Sequence, residues 1–421
     1  MSAIPSSIQG NDFIDVLLAE IAVRIQLPLS RHSVAEQRYH TIASWLERPD
    51  SLLVSRVERM YAQGSMAIGA TIASCRKSDE FDIDVLAELR LPVSTPPRRV
   101  LDLLYESIRG AQGGRYYSMV ERCTRCVQIQ YGDDMHVDVT PTILLAEQPE
   151  RTGFIFHANP AQSSAQDKKI LANPYGFAEW FKARTPLDTE FSPYFAELSK
   201  SFDLDTKSLL KAESEPVPTP VEAYEKSRAL IALQLLKRWR NIRYDHRDGR
   251  KPPSVLLAKL VASYANQTNS LFGELLHQAK QILYFFESAQ REGKTVYVEN
   301  PVCRGDVFSD RWPSSLQDQN TFILDLKHLV GQLSRLSARY DVLTAREVLS
   351  DLFGERPTVA AVDIANSKFG RTIETGGASH NRRTIGFDIR ASGLLGPAAA
   401  SSTYAANTPG HRFFGGDLES E

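Results

Sequence analysis

Several features that are typical of secreted, membrane and nucleic-acid-coated proteins are absent from this 421-residue sequence. Its four cysteines are too few for a disulfide framework over this length, so we expect a reducing, cytoplasmic environment. No apolar run reaches the roughly 18 residues that span a bilayer, and the first ten residues lack the basic and then apolar layout of a signal peptide. The net charge of −2 argues against a coat of nucleic acid, although a local basic groove stays open. We therefore expect neither a membrane nor sequence-specific nucleic acid as a partner.

The composition is that of an ordinary globular protein, with 42% hydrophobic and 24% charged residues. A chain of this length suits two lobes better than one small core. The clearest linker is E-S-E-P-V-P-T-P at residues 213–220, because prolines and charges dominate it. We predict an α+β fold with four parts: N-terminal helices that bridge the lobes (1–58), a core with a mixed β-sheet (59–215), a helical lobe (216–370) and a flexible C-terminal tail (371–421).

The hydrophobic periodicity predicts the elements around the candidate site. Alternation predicts strands over 81–86 and 153–157, and a β-hairpin that joins 126–131 to 136–140. Helical periods are present over 11–26, 33–47, 51–58, 98–109, 173–183, 188–199, 221–241, 253–266, 271–292, 316–340 and 344–353.

One stretch concentrates residues that carry chemistry. Gly64 and Ser65 form a Gly-Ser pair, and Asp82 and Asp84 follow in the strand F-D-I-D-V-L. The alternation of a strand places both carboxylates on one face, where they repel each other unless a cation lies between them. Asp138 lies on the polar face of the predicted strand H-V-D-V-T. The three carboxylates therefore indicate a metal site.

This arrangement matches what nucleotidyl transfer requires. An attacking hydroxyl must meet the α-phosphorus of a nucleoside triphosphate in line with the departing pyrophosphate, and two Mg²⁺ ions hold the oxygens and neutralise the charge. Mg²⁺ prefers hard oxygen ligands such as aspartate. Gly64 allows the backbone to approach a phosphate closely, and Ser65 supplies a hydroxyl and an N–H at a predicted helix start.

The motifs together resemble a known family. Q-G-S-M-A-I-G-A-T-I, F-D-I-D-V-L and M-H-V-D-V-T-P are similar to the motifs of the cGAS/DncV-like nucleotidyltransferases (CD-NTases) of bacterial CBASS anti-phage systems, within the polymerase-β-like superfamily. L-L-K-R-W-R-N (235–241), K-P-P-S-V-L-L (251–257) and E-N-P-V-C-R-G-D-V (299–307) resemble later motifs of that family. The resemblance covers residues 10 to 350, in the expected order and spacing.

The resemblance implies a two-lobed enzyme that joins ATP, GTP or other ribonucleoside triphosphates into a cyclic di- or trinucleotide, which then activates a separate effector. It implies Asp82, Asp84 and Asp138 as ligands of two Mg²⁺ ions, with Mn²⁺ as a substitute. It makes Gly64 and Ser65 the phosphate-binding turn, and Lys237 and Ser254 the triphosphate contacts of the helical lobe. Several relatives carry a base-stacking aromatic after that serine, whereas Val255 stands here. Three tyrosines are candidates for that role: Tyr175, Tyr244 and Tyr264.

Each assignment has a simpler alternative. The aspartates could line an exposed strand face, Lys237 could be a solvated charge, and Ser254 could serve only as a helix N-cap. A linear transferase that acts on RNA ends or on a small molecule would keep the three aspartates. A nucleotide-binding sensor without catalysis is a further alternative.

Three other features are set apart from the main motifs. Cys123 and Cys126 form a lone C-x-x-C; because positions three apart on a strand face opposite sides, we expect two unrelated thiols in place of a zinc site. His136 is expected to be a hydrogen-bonded strand histidine. Gly415-Gly416 near the C-terminus is either part of a disordered end or, after trimming, a point of attachment for conjugation machinery.

Overall fold

The first half of the chain forms one seven-stranded sheet. The computed structural model describes residues 12–73, 81–133, 135–146, 148–209, 225–266, 270–338, 341–374, 378–381 and 386–389. The strands of this sheet are β1 (Val57–Ala62), β2 (Phe81–Leu89), β3 (Val120–Arg122), β4 (Val127–Gln130), β5 (Met135–Leu144), β6 (Gly153–His157) and β7 (Lys168–Ala172).

The sheet is mixed, and β5 lies at its centre. The strand order is β1-β2-β5-β4-β3, and β6 pairs with both β5 and β7. β2 and β5 are parallel, whereas β4 and β6 run antiparallel to β5. The predicted strands over 81–86 and 153–157 and the hairpin from 126 to 140 are confirmed. β3 and β7 were not predicted, because both are short and carry charged residues.

Helices make up most of the remaining structure. In chain order they are α1 (Asp12–Ile25), α2 (Leu29–Leu46), α3 (Gly64–Ala67), α4 (Pro97–Arg109), α5 (Pro174–Arg184), α6 (Phe191–Leu209), α7 (Arg228–Tyr244), α8 (Ser254–Tyr264), α9 (Leu271–Arg291), α10 (Leu316–Ala338), α11 (Val342–Phe353) and α12 (Glu355–Glu374). Two small antiparallel pairs complete the described structure: β8 (Glu299–Asn300) with β9 (Cys303–Val307), and β10 (Ala378–Asn381) with β11 (Gly386–Ile389). The α+β fold agrees with the prediction.

Two hydrophobic cores divide the N-terminal helices between them. α2 and α4 pack on the sheet, whereas α1 packs with α5 to α12 in the second core. Asp15 of α1 also caps α9: its carboxylate accepts hydrogen bonds from the backbone N–H groups of Leu271 (3.0 Å) and Phe272 (2.7 Å). A carboxylate is favourable at a helix N-terminus, where backbone N–H groups lack partners. Within the described residues, no helix has the length and apolar character needed to cross a membrane.

Some local predictions were wrong. No helix forms over 51–58: residues 51–56 make turns, with Ser55 at φ +58°, and β1 begins at Val57. The hydrogen bonds of β1 to β2 therefore prevail over a weak helical pattern. Helix α12 was missed, and it extends together with β10 and β11 into the segment that was predicted to be a tail. The linker at 213–220 and the diglycine at 415–416 lie outside the described residues.

Candidate active site

The three aspartates lie on two adjacent parallel strands. Asp84 of β2 is directly opposite Asp138 of β5, and Asp82 is opposite His136. On the other face of β2, Ile83 is fully buried in the core of the sheet. The alternation of each strand thus directs the acidic side chains to the same face, as predicted.

The acidic cluster carries unfavourable charge. Burial, together with the neighbouring charges of Asp138 and Asp82, raises the pKa of Asp84 to about 7, although Lys237 opposes the shift. Burial also raises the pKa of Asp138, although a hydrogen bond from Gln128 partly compensates. Carboxylates that repel one another on a partly buried face are stabilised when a cation lies between them.

The residues present fit Mg²⁺ in their chemistry. Among the described residues, no three His, Cys, Asp or Glu side chains already form a complete metal-binding cluster. Mg²⁺ does not require one, because it usually binds one or two carboxylates and takes its other ligands from water and substrate phosphates. The uncompensated charge of Asp82, Asp84 and Asp138 is consistent with such a partly open site.

The Gly-Ser turn lies directly against this cluster. Gly64 begins α3 with φ +56°, a left-handed conformation that favours glycine. The backbone N–H of Gln63 donates to the Asp84 carbonyl oxygen (2.9 Å), which fixes the turn beside β2. The hydroxyl groups of Ser65 and Thr71 lie within hydrogen-bonding distance, at 3.3 Å. Gly64 and Ser65 therefore occupy the position at which a phosphate would approach the aspartates.

A cavity of about 300 Å³ separates β2 and α3 from α7 and α8. Its polar lining comes from both sides: Gly64, Ser65, Thr71, Asp82, Asp84, Lys237, Arg240, Asn241, Lys251 and Ser254. Acidic groups thus lie on one wall and basic groups on the other. Such a cavity suits a metal-bound polyphosphate.

Lys237 is not a solvated surface charge. Its side chain is 5% exposed, and Nζ donates a hydrogen bond to the carbonyl oxygen of Ala70 at 2.7 Å. Burial, together with the nearby charge of Arg240, lowers the pKa of Lys237 to about 7, although Asp84 opposes the shift. This hydrogen-bond partner is a backbone carbonyl and not a carboxylate, and Lys237 lines the cavity. A phosphate there would stabilise its charged form.

Ser254 is the first residue of α8, and Pro253 holds the N-cap position, so the N-cap alternative is wrong. Its hydroxyl accepts a hydrogen bond from Arg240 Nη1 (3.0 Å), which also donates to the carbonyl oxygen of Pro252 (2.8 Å). Arg240 is buried and had not been predicted as a site residue. The motif K-R-W-R contains it, but only the packing of α7 against α8 shows which of its cations faces the cavity.

The comparisons with known proteins agree with this geometry. Residues 17–182 match the Second Messenger Oligonucleotide or Dinucleotide Synthetase (SMODS) domain family. The cyclic dinucleotide synthase CdnG of Bradyrhizobium diazoefficiens is 33% identical over 398 residues, which cover 94% of this chain and 92% of that protein. The chain is a CD-NTase. The predicted family membership is confirmed, and with it the assignment as a nucleotidyltransferase.

One further relative and two solved structures are also similar to this chain. The c-di-GMP synthase of Roseivirga ehrenbergii is 23% identical over 354 residues, covering 82% of this chain and 85% of that protein. The structure of B. diazoefficiens CdnG in complex with GTP superimposes with a TM-score of 0.72 at 34% identity, over 84% of this chain and 99% of that one. CdnC of E. coli MS115-1 with ATP shares the fold at a TM-score of 0.53 and 15% identity, over 80% of this chain and 96% of that one.

The proposed base-stacking tyrosines of this CD-NTase lie outside the cavity lining. The ring of Tyr175 packs edge-on against Tyr61, and the guanidinium of Arg151 lies over it at 4.1 Å. Tyr244 lines a separate cavity of about 400 Å³, and Tyr264 is the last residue of α8. No stacking role is therefore assigned to these tyrosines.

Gln128 of this CD-NTase was not predicted from the sequence as a neighbour of the aspartates. Gln128 Nε2 donates to Asp138 Oδ1 at 2.9 Å, because Gln128 of β4 is directly opposite Asp138. The predicted hairpin would have indicated this pair if its register had been followed from the turn. Nδ1 of His136, by contrast, is buried without a hydrogen-bond partner in the described part of the chain, so the expected hydrogen bond is not found at this nitrogen.

The two cysteines of the C-x-x-C motif are neighbours, and the prediction of unrelated thiols was wrong. Cys123 and Cys126 flank a two-residue turn between β3 and β4, and the N–H of Cys123 donates to the carbonyl oxygen of Cys126 at 3.0 Å. The error came from treating the motif as a continuous strand, whereas the turn places both residues opposite each other. Both thiols are free.

Proposed function

We propose that this CD-NTase condenses two ribonucleoside triphosphates, GTP among them, into a cyclic dinucleotide and releases pyrophosphate. The observation that carries the proposal is that the Asp82 and Asp84 carboxylates face basic groups across one cavity, with Asp138 directly opposite Asp84 on the adjacent strand. Two named relatives support the product class, since one is a cyclic dinucleotide synthase and the other a c-di-GMP synthase. The GTP complex of CdnG supports GTP as a substrate.

Asp82, Asp84 and Asp138 would hold two Mg²⁺ ions, or Mn²⁺ in their place; the bound metal neutralises phosphate charge and lowers the pKa of the acceptor hydroxyl. Gly64 leaves room for the phosphates beside Asp84. Gln128 holds the Asp138 carboxylate by its hydrogen bond, so that one oxygen stays oriented toward the acceptor hydroxyl.

The helical side would bind the triphosphate. Lys237 and Lys251 line the cavity opposite the aspartates and supply positive charge. Arg240 fixes the hydroxyl of Ser254 at the start of α8, which directs that oxygen and the first N–H groups of α8 to the cavity. The cavity thus orients the reacting phosphate relative to the acceptor hydroxyl, which is the main contribution a protein makes to phosphoryl transfer.

The product would serve as a second messenger that activates a separate effector in anti-phage defence, in the cytoplasm. The family membership supports this role. Conjugation through Gly415-Gly416 remains a prediction about residues outside the described structure.

The test is incubation of the purified full-length chain with GTP alone, ATP alone and all four ribonucleotides, with Mg²⁺, Mn²⁺ or EDTA. Phosphatase-resistant products are then identified by mass. We expect a cyclic dinucleotide that contains guanosine, and no product with EDTA or with the double variant Asp82→Asn and Asp84→Asn. Phosphatase-sensitive chains would favour a linear transferase, and nucleotide binding without pyrophosphate release would favour a sensor.

A further inference from the structure

The turn between β3 and β4 brings two thiols together beside the acidic cluster. Arg122 and Val127 form the last ladder pair of these antiparallel strands, and the N–H of Cys123 donates to the carbonyl oxygen of Cys126 at 3.0 Å. Cys123 and Cys126 are therefore the next cross-strand pair. In a hydrogen-bonded pair the Cα atoms are about 5.5 Å apart, within the range that a disulfide spans.

The pair also reaches the active site. The Cys126 thiol acts as a hydrogen-bond donor to the Asp138 carboxylate, which partly offsets the rise that burial causes in the pKa of Asp138. The Cys126 thiol is more buried than the Cys123 thiol. Gln128, two residues further along β4, donates to the same carboxylate. Two donors of one strand thus hold Asp138, and one of them is a thiol.

We propose that Cys123 and Cys126 form a reversible thiol–disulfide site, oxidised by hydrogen peroxide, that lowers nucleotide synthesis when it closes. Cys123 is the more accessible thiol and attacks peroxide first, which gives a sulfenic acid and one water. The Cys126 sulfur then displaces the hydroxyl from that sulfenic acid, so that the S–S bond forms and a second water leaves. The two electrons that the thiols lose reduce the O–O bond of peroxide, and both thiol hydrogens leave in the two waters.

Formation of the disulfide changes the hydrogen bonds that Asp138 can accept. A thiol donates a hydrogen bond, whereas a disulfide sulfur has no hydrogen to donate. Closure of the disulfide therefore removes one of the two donors that hold the Asp138 carboxylate and draws the Cys126 sulfur toward Cys123. Cys126 acts here as a positioning residue, and a thiol reductant restores it by exchange.

The first experiment tests the bond alone. Full-length protein is treated with hydrogen peroxide, blocked with N-ethylmaleimide and digested with trypsin without reduction. Cleavage after Arg122 and Arg125 separates the two cysteines, so only a disulfide keeps the peptide 123–125 joined to 126–151. We expect the joined peptides, about 2 Da lighter than the sum of the two reduced peptides, and their separation by dithiothreitol. Separately blocked cysteines, or a link from either one to Cys75 or Cys303, would overturn the proposal.

The second experiment tests whether the disulfide lowers nucleotide synthesis, and it rests on the proposed function. Oxidised wild-type protein should lose at least about fivefold in kcat, with little change in KM for GTP, and dithiothreitol should restore it. Cys123→Ser should keep the reduced rate within about twofold and resist peroxide, whereas the control Cys303→Ser should respond as wild type does. If the disulfide forms without changing kcat, the proposal that it regulates nucleotide synthesis is overturned. If reduced protein makes no product, the proposed function fails, while the peptide result still decides the bond.

Discussion

Gly64 lies so close to Asp84 that a Cβ at position 64 would stand 2.8 Å from Asp84 Oδ2. The glycine also has φ +56°, so both the available space and the backbone conformation exclude a side chain. The Gly-Ser turn therefore does more than approach the substrate: it forms one wall of the pocket that holds the Asp84 carboxylate.

Gly64→Ala should abolish activity out of proportion to its effect on stability. The new methyl group displaces the Asp84 carboxylate, and we expect a loss of at least about 100-fold in kcat/KM. Gly113→Ala is the matched control, because Gly113 has φ +81° and nothing within 4 Å of an added Cβ. Both variants bear the left-handed alanine, which costs about 1 kcal/mol, and should lose similar amounts in thermal unfolding. An equal loss of activity in the two variants would contradict the steric explanation.

Removal of one carboxylate should separate metal binding from folding. In Asp84→Asn we expect at least about a 100-fold loss of activity, because a charged metal ligand is gone. The metal-free variant should unfold at the same or a higher temperature than wild type, since the repulsion from Asp82 and Asp138 is relieved. Addition of Mg²⁺ should raise the Tm of wild type but not of the variant. A Tm of the metal-free variant well below that of wild type would show that Asp84 has a structural role instead.

The positions of the aspartates could be predicted from the sequence, because they depend only on the alternation of side chains between the two faces of a strand. Asp82, Asp84 and Asp138 needed no more than alternation and a shared face. Gln128 depends on the register across a hairpin, and Arg240 on the packing of α7 against α8, so neither follows from a local pattern. Cys123 and Cys126 were misjudged because a two-residue turn reverses the chain where continuous strand geometry was assumed.

The helices were easier to predict than their ends. The periods over 271–292 and 316–340 correspond closely to α9 and α10, whose apolar faces are buried in one core. The predicted helix over 51–58 failed because pairing of β1 with β2, a contact distant in sequence, determines that segment. Long periodic elements are thus encoded locally, whereas short ones depend on tertiary contacts.

Gln128→Leu tests whether the orientation of Asp138 matters. The substitution removes the donor to Asp138 Oδ1 with little change in volume, and we expect a loss of about 5- to 50-fold in kcat, with KM for GTP nearly constant. Gln130→Leu is the control: Gln130 is exposed, and its side-chain amide donates to Gln128 Oε1 at 3.3 Å and not to an aspartate. Steady-state kinetics of both variants decide the matter. A loss in Gln130→Leu as large as in Gln128→Leu would indicate a general effect on β4.

Lys237→Met should weaken nucleotide binding. The variant keeps the apolar stem but removes the charge that faces Asp84 and the cavity, so we expect at least about a tenfold rise in the Kd for GTP with Mg²⁺. Isothermal titration with GTP measures this directly. Ser254→Ala should have a smaller effect, of about two- to fivefold, because Arg240 still fixes the start of α8. Unchanged GTP affinity in Lys237→Met would remove this lysine from the phosphate site.

The substitution Lys226→Met, in contrast to Lys237→Met, should stabilise the protein and leave GTP binding unchanged. Lys226 is buried, and its Nζ donates to Gln26 Oε1 at 2.6 Å, an uncharged partner. Burial lowers the pKa of Lys226 to about 7 from 10.5 in the unfolded chain. The folded state therefore binds fewer protons than the unfolded state between these values, so the destabilisation is complete below pH 7 and disappears as the pH rises toward 10.5. At about 1.36 kcal/mol per pKa unit, the upper limit of this destabilisation is about 5 kcal/mol.

We expect Lys226→Met to raise the Tm by at least about 3 °C at pH 6.5 and by much less at pH 10. A gain in Tm that is independent of pH would show that the methionine stabilises by packing, and that the buried ammonium of Lys226 is not the source of the penalty.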